Sequence, residues 1–134
     1  MQPKQICILT GATGGIGKAT AQLFDAEGYQ LVLHGRNELK LEALKKSLQG
    51  NHHIICGDLN DAEARKILID EAFANQAHQP TMLLNNAGIS QFKGIDEVSS
   101  YDIESLIATN LIATIDFTRL FLNRVKQGST IVNV

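Results

Sequence analysis

Short apolar runs alternate along the chain with longer segments in which apolar residues recur every three or four positions. The runs predict five β-strands, within QICILT (5–10), YQLVLHG (29–35), HHIICGD (52–58), TMLLNNAG (81–88) and STIVNV (129–134). The amphipathic segments between them predict helices within residues 17–28, 37–50, 60–77 and 101–128, the last kinked near Asn110. Gly28, Gly50 and Gly128 are expected to end three of these helices.

Strands that are apolar on both faces and alternate with amphipathic helices indicate a parallel sheet covered on both sides. The sequence therefore predicts an α/β fold, a Rossmann-like doubly wound parallel sheet with strand order 3-2-1-4-5. Residues 1–134 are interpreted as one domain. The helix positions expected to form apolar faces are Ile16, Ala19, Leu23 and Phe24, then Leu41, Leu44 and Leu48, then Ile67, Leu68, Ala72 and Phe73.

Composition restricts the function only broadly. Hydrophobic residues make up 44% of the chain and the net charge is −2, so neither nucleic acid nor a membrane is expected as a partner. No unbroken apolar run approaches the roughly 20 residues of a membrane span, and a cytoplasmic location is the default expectation. Cys7 and Cys56 are interpreted as small core residues, and the four histidines lack metal-ligand spacing.

The segment TGATGGIG, Thr10 to Gly17, carries the strongest chemical signal, because it follows a predicted strand and opens a predicted helix. Gly11 permits a sharp turn, Gly15 lets backbone N–H groups approach a pyrophosphate, and Gly17 lets the helix lie close to the sheet. Thr13 could add a hydroxyl. The alternative is a glycine-rich turn that serves packing alone. The spacing does not match the P-loop of nucleoside triphosphate sites.

The pattern T-G-x-x-x-G-x-G resembles the cofactor loop of the short-chain dehydrogenase/reductase family. That resemblance implies a nicotinamide dinucleotide held by the turn. The implied contacts are Gly11, Ala12, Thr13, Gly14, Gly15, Ile16 and Gly17.

The end of the second strand, LHGRN, bears on the choice of cofactor. NAD-preferring members of the family carry an acidic residue where this chain has Gly35, and Arg36 follows. A guanidinium can pair bidentately with a 2′-phosphate, so the resemblance implies NADP(H) in preference to NAD(H), with Arg36 and Asn37 at the cofactor. The alternative is that Arg36 is a solvated arginine at a helix start.

Two further motifs extend the resemblance. After the third strand, Asp58 and Leu59 match the position where the family contacts adenine, although Asp58 could simply cap the next helix. After the fourth strand, NNAG matches the segment that steadies the sheet and lies along the cofactor ribose. Asn86, Ala87 and Gly88 are the implied contacts.

In the long helical segment, TNLIA places Asn110 where the family has an asparagine that holds a water in a proton relay to the catalytic lysine. The resemblance implies a catalytic role for Asn110, and a cofactor contact for Thr109. The alternative is an asparagine that stabilises a kink and takes no part in chemistry.

The family's catalytic tyrosine is followed four residues later by a lysine, and a serine follows the fifth strand. Here Leu33 follows Tyr29 and Ser105 follows Tyr101 at that spacing, and Ser129 precedes the fifth strand. One hypothesis is the cofactor-binding part of an NADP(H)-dependent oxidoreductase that acts on a carbonyl or alcohol, truncated after the fifth strand and inactive by itself. The other is a dinucleotide-binding or partner-binding module without catalysis.

Family members dimerise through the long helix, here residues 101–126, so the resemblance also implies self-association, or pairing with a complementary C-terminal fragment. That helix is apolar on more than one face, and Ile131, Val132 and Val134 would lie on an open sheet edge. The substrate stays open among steroid, sugar, acyl-thioester and small-ketone classes.

Overall fold

A computed structural model describes residues 4–74 and 77–134 of the chain. The strands are β1 Ile6–Leu9, β2 Gln30–Gly35, β3 His53–Cys56, β4 Met82–Asn85 and β5 Thr130–Asn133. The helices are α1 Gly15–Ala26, α2 Glu38–Ser47, α3 Ala62–Phe73, α4 Ser100–Ile107 and α5 Ala113–Leu122, with a π-helical turn at Ala108–Ile112 between α4 and α5.

The five strands form one parallel sheet in the order β3-β2-β1-β4-β5, which confirms the predicted fold class and strand order. The chain reverses its direction of winding between β1 and β4, so the carboxyl ends of these strands diverge into a crevice. In sheets of this kind ligands bind at that switch point. The crevice is therefore where the predicted site residues should converge.

The core lies on both faces of the sheet because successive strand residues point to opposite sides. Ile6 and Ile8 of β1 pack on one face with α3 and α5, whose largest buried side chains are Phe73, Phe117 and Phe121. Cys7 and Leu9 pack on the other face with α1 and α2, whose buried side chains are Ala21, Leu41 and Leu44.

Four predicted core positions are wrong. Ile16 and Leu23 of α1 are 63% and 60% exposed, Ile67 of α3 is 58% exposed, and Ala19 of α1 is also exposed. In α1 the buried residues are Gly17 and Ala21, and the predicted Phe24 packs against the core while partly buried. A Cβ on Gly17 would overlap the Gly11 carbonyl, so the start of α1 lies too close to the turn after β1 for a larger side chain there. The interpretation of Cys56 was also wrong, since it is exposed on the edge strand β3.

Helix boundaries differ slightly from expectation. Asn37 caps α2 as the sequence suggested, and its Oδ1 accepts from the Lys40 N–H at 3.0 Å, but the helix ends at Ser47 rather than at Gly50. The predicted third helix extended over residues 75 and 76, which lie outside the described residues. Within the described part it ends at Phe73.

The helical segment Ser100–Leu122 has 23 residues and is long and apolar enough, by length and composition only, to cross a membrane. It contains no unbroken apolar run of that length because acidic residues such as Asp102 and Asp116 interrupt it. One such helix is weak evidence for a membrane span, since helices of this length and composition also pack on protein cores. Here Ala113, Phe117 and Phe121 are buried against the sheet.

A polar cluster at the amino ends of the strands, opposite the crevice, joins α1 to the loop before β3. The Asp25 carboxylate accepts from the backbone N–H groups of Gln49 and Gly50, each at 2.8 Å, and contacts His52 Nε2 at 2.7 Å. His52 Nδ1 in turn accepts from the Leu31 N–H at 3.0 Å. The cluster therefore ties α1 and β2 to the α2–β3 loop.

We expect Asp25→Asn to lower the free energy of unfolding by about 1–3 kcal/mol, because an amide offers one acceptor oxygen where the carboxylate offers two. Asp70→Asn is the matched control: Asp70 pairs with Arg124 at the surface and should cost less than about 1 kcal/mol. Urea denaturation at neutral pH measures both. Equal effects of the two substitutions would contradict the assignment.

The same cluster predicts a pH dependence. The Gln49 N–H above all, with the Gly50 N–H and His52, lowers the pKa of Asp25 below 3.8. A carboxyl whose pKa is lower in the folded state stabilises the fold above its unfolded pKa, and this contribution is lost as pH falls through the folded pKa. The stability difference between wild type and Asp25→Asn should therefore shrink below about pH 3.8.

Candidate functional site

A groove of about 380 Å³ lies at the carboxyl ends of the strands, on the crevice side of the sheet. Its lining comes from the turn after β1, the end of β2, the loops after β3 and β4, and the π-helical turn. The lining residues are Gly11, Thr13, Gly14, Gly15, Ile16, Gly17, His34, Gly35, Arg36, Asp58, Leu59, Asn60, Asn86, Ala87, Gly88, Ile89 and Thr109.

The turn after β1 is packed tightly at Gly11 and Gly17 and open at Gly15. Gly11 has φ +62°, and a Cβ there would lie 2.8 Å from the Ala87 Cα. A Cβ on Gly17 would lie 2.2 Å from the Gly11 carbonyl oxygen. At Gly15 a Cβ would meet nothing within 4 Å, so its backbone faces open space.

Helix α1 begins at Gly15, and no side chain caps it at Gly14. The first N–H groups of a helix have no intrahelical acceptor and carry the positive end of the helix dipole. The groove wall at this point therefore presents unpaired backbone donors to an anion.

Thr10 holds the turn after β1 against the loop after β4. Its Oγ1 accepts from the N–H groups of Asn86 and Ala87, each at 3.0 Å. The Asn86 side chain donates back to the Gly11 carbonyl at 3.1 Å. These bonds bring two of the predicted motifs together as the opposite walls of one groove.

At the end of β2 only one of the two predicted cofactor contacts lines the groove. Arg36 is exposed and lines the groove, whereas Asn37 caps α2 and does not line it. Ala12, also predicted as a contact, is fully buried, and its N–H donates to the His34 carbonyl at 2.8 Å. Asn37 and Ala12 were predicted as cofactor contacts from their positions in the motifs. Motif position does not determine which way a residue faces.

After β3, Asp58 and Leu59 both line the groove. Asp58 Oδ1 accepts from the Asn60 N–H at 2.9 Å, and Asp61, not Asp58, caps α3. Arg65 of α3 is buried and donates to the Leu59 carbonyl at 2.6 Å, which holds the loop in place.

Long-range pairs also fix this loop against α5 and the π-helical turn. Arg65 Nε donates to Asp116 Oδ2 at 2.6 Å, and Arg65 above all, with Arg119, lowers the pKa of Asp116. Asn60 Nδ2 donates to Thr109 Oγ1 at 2.9 Å. Thr109, which the resemblance implied as a cofactor contact, thus lines the groove on the side of Asp58.

Asn110 does not line the groove, although its Oδ1 would lie 3.2 Å from a Cβ on Gly88, which does. Its Oδ1 accepts from the Ile89 N–H at 2.9 Å, and its Nδ2 donates to the Ile89 carbonyl at 2.7 Å. The kink predicted near Asn110 is the π-helical turn Ala108–Ile112. The Asn110 side chain therefore holds the loop after β4 by bonding to the backbone of that loop. The catalytic role predicted for Asn110 stays a prediction.

Asn85 has a similar structural role at the end of β4. Its Nδ2 donates to Thr118 Oγ1 and to Asn133 Oδ1, each at 2.9 Å, so it joins β4 to α5 and β5.

Four residues that line the groove, His34, Gly35, Asn60 and Ile89, were not predicted as contacts. Each lies next to or close to a motif residue in the sequence. Only the folded chain shows that it faces the groove.

This fold and this groove define the class of Rossmann-like proteins that bind nucleotides at the switch point of a parallel sheet. The family model for short chain dehydrogenase matches residues 5–134. The chain belongs to the short-chain dehydrogenase family, which confirms the resemblance inferred from its motifs.

Individual relatives agree with this assignment. A sulfoacetaldehyde reductase of Chromohalobacter salexigens is 38% identical over 94% of this chain and 52% of its own length. An NADP-dependent (R)-specific alcohol dehydrogenase of Lentilactobacillus kefiri is 32% identical over 97% of this chain and 53% of its own length. The chain therefore spans about half the length of these curated relatives.

A solved structure shows the same fold. The short-chain dehydrogenase/reductase of Brucella melitensis described as a glucose/ribitol dehydrogenase superposes with a TM-score of 0.89 at 32% identity. The match covers 96% of this chain and 55% of that one.

The glycines of the turn predict different effects on stability. Gly17→Ala should lower the free energy of unfolding by about 1–3 kcal/mol, because its Cβ would overlap the Gly11 carbonyl. Gly15→Ala should not lower it, because its Cβ enters open space and alanine favours a helix. Thermal or urea unfolding measures both. A destabilised Gly15→Ala protein would show that Gly15 is also required for packing.

Proposed function

We propose that this chain holds NADP(H) in the groove, in preference to NAD(H), for an oxidoreductase that interconverts a small carbonyl compound and its alcohol. The single observation that carries the proposal is the uncapped start of α1 at Gly14 and Gly15, facing the groove in a member of the short-chain dehydrogenase family.

The start of α1 fits the pyrophosphate. Free N–H groups and the helix dipole favour an anion there, and the open space at Gly15 allows phosphate oxygens to approach the backbone. No side chain competes for these donors, since α1 has no cap and no acidic residue in its first turn. Thr13 adds a hydroxyl on the same wall.

The adenosine half would extend toward β2 and β3. Asp58 and Leu59 lie beyond Gly35 on this side of the groove, and Thr109 closes it. Gly35 carries no side chain that could bond or repel at the ribose, and the Arg36 guanidinium is exposed beside it. An arginine can pair with a 2′-phosphate through two charge-assisted hydrogen bonds. That is the physical reason to favour NADP(H).

The nicotinamide half would extend along Asn86, Ala87 and Gly88. When bound, the reduced cofactor supplies a hydride to the carbonyl carbon of a substrate, and a proton completes the alcohol. Within this chain Asn110 positions the wall by holding both backbone groups of Ile89. Neither Tyr29 nor Tyr101 is followed by a lysine four residues later. The residues of this chain are therefore proposed to hold the cofactor, and none of them is proposed to transfer the proton.

Arg36→Leu tests the cofactor preference. Loss of a charge-assisted pair should weaken NADPH binding by about 10- to 100-fold, while NADH, which has no 2′-phosphate, should bind nearly as before. Fluorescence titration of the reduced dinucleotides measures both constants. Lys46→Leu is the control, because it removes the same charge from the exposed last turn of α2.

A wild-type chain that binds NADH as tightly as NADPH would remove the preference. A wild-type chain that binds neither dinucleotide would overturn the proposal as a whole.

We also propose that the chain associates with a second copy of itself through the helix of residues 101–126. The support is an exposed apolar surface along this helix, which single charged residues interrupt but do not cover. Its exposed apolar members are Tyr101, Ile103, Ile107, Leu111, Ile112, Ile115 and Leu122.

Ile115→Glu should shift the assembly toward monomer, because a carboxylate in an apolar interface would lose its hydration without a partner. Ile67→Glu on α3 is the matched control, since Ile115 is 60% exposed and Ile67 is 58% exposed. Light scattering over a range of concentrations measures the mass. A wild-type monomer at every concentration would contradict the proposal.

A further inference from the structure

His34 is a buried histidine at the carboxyl end of β2, and both of its ring nitrogens are engaged. The Gly11 N–H donates to Nδ1 at 3.3 Å, and Nε2 lies 3.0 Å from the Gly57 carbonyl oxygen. An N–H can only donate and a carbonyl can only accept, so the ring must be neutral, with its proton on Nε2. The side chain is part of the groove wall and is only 3% exposed.

The two partners of His34 belong to different walls of the groove. Gly11 opens the turn that leads into α1, and Gly57 immediately precedes Asp58. Backbone bonds join the same strands just beneath the ring: the Ala12 N–H donates to the His34 carbonyl, and the Gly57 N–H donates to the Gly35 carbonyl at 3.1 Å. The imidazole therefore continues the hydrogen bonding of β1, β2 and β3 past the point where the strands diverge.

We propose that His34 is a positioning residue for the dinucleotide, which sets the distance between the wall that holds the pyrophosphate and the wall that holds the adenine. The inference rests on the proposed function. The ring touches the backbone of both walls, and a dinucleotide must contact both walls at once. Loss of either hydrogen bond lets one wall move relative to the other.

The required neutral form makes the effect depend on pH. Protonation would place a second N–H at Nδ1, directly against the Gly11 N–H. Burial lowers the pKa of His34 below its ordinary 6.5, the Gly57 carbonyl acts against this, and Arg36 lowers it further while Asp58 raises it. Among the described residues, Arg36 and Asp58 are the charged groups that act on the ring. Dinucleotide affinity should fall as pH drops through this lowered pKa.

Two substitutions separate the two bonds. His34→Asn keeps an acceptor near the position of Nδ1 and loses the reach to Gly57. His34→Gln places an amide near the position of Nε2 and loses the acceptor for Gly11. Each should weaken NADPH binding by about five-fold, and His34→Leu, which loses both bonds, by roughly 25-fold.

Affinities are measured by titration at a temperature where circular dichroism shows each variant fully folded. His53→Asn, on the neighbouring strand β3 and outside the groove lining, is the matched control and should bind like wild type. A purely structural role for His34 would lower the melting temperature of the variants and leave their dissociation constants unchanged. That result would overturn the inference.

The pH arm uses wild type, His34→Asn and His53→Asn, with NADH as the probe because it lacks the 2′-phosphate, which itself titrates near neutral pH. The affinity of wild type and His53→Asn should decline as pH falls through the lowered pKa of His34, which lies below 6.5, and the profile of His34→Asn should be flatter over that range. Identical profiles for all three proteins would overturn the inference. Failure of wild type to bind either dinucleotide would instead overturn the proposed function.

Discussion

The arrangement of the whole groove depends on how closely the turn after β1 packs against its surroundings. Gly11 touches the backbone of Ala87, and Gly17 touches the backbone of Gly11, with no room for a Cβ at either place. Thr10 then joins this turn to the loop after β4 through a single hydroxyl that accepts two backbone N–H groups. This contact brings the start of α1 and the Asn86–Gly88 segment to one crevice, so the groove exists only while the contact holds.

Where strands and loops leave the sheet, side chains supply the hydrogen bonds that neighbouring strands supply within it. Asn85 joins β4 to α5 and β5, Asn110 pairs with the backbone of Ile89, and His34 bridges the backbones beside β1 and β3. A buried backbone group without a hydrogen-bond partner costs free energy, and a loop has no neighbouring strand to provide that partner. Polar residues at the carboxyl ends of the strands are therefore required by the fold as well as available for chemistry.

Sequence reasoning reached the strand order, the glycine-rich turn and most of the groove lining, because these depend on local signals: apolar runs, glycine spacing and motif residues next to strand ends. It failed at Ile16, Ala19, Leu23 and Ile67, where helical periodicity suggested burial. Periodicity identifies an apolar stripe but does not say how close the helix lies to the sheet. At the start of α1 that distance is so short that Gly17 faces the turn after β1 with no room for a side chain.

By itself the sequence determined the parallel α/β architecture, the family and the segment that opens α1, since each is encoded by residues close together in the chain. Only the tertiary structure decided which motif residues face the groove, as it excluded Ala12 and Asn37 and added His34 and Asn60. It also decided that Asn110 is bonded to a loop 21 residues away. The physical reason is that side-chain direction and long-range hydrogen bonds depend on how helices and loops pack together, and packing joins residues that no local pattern connects.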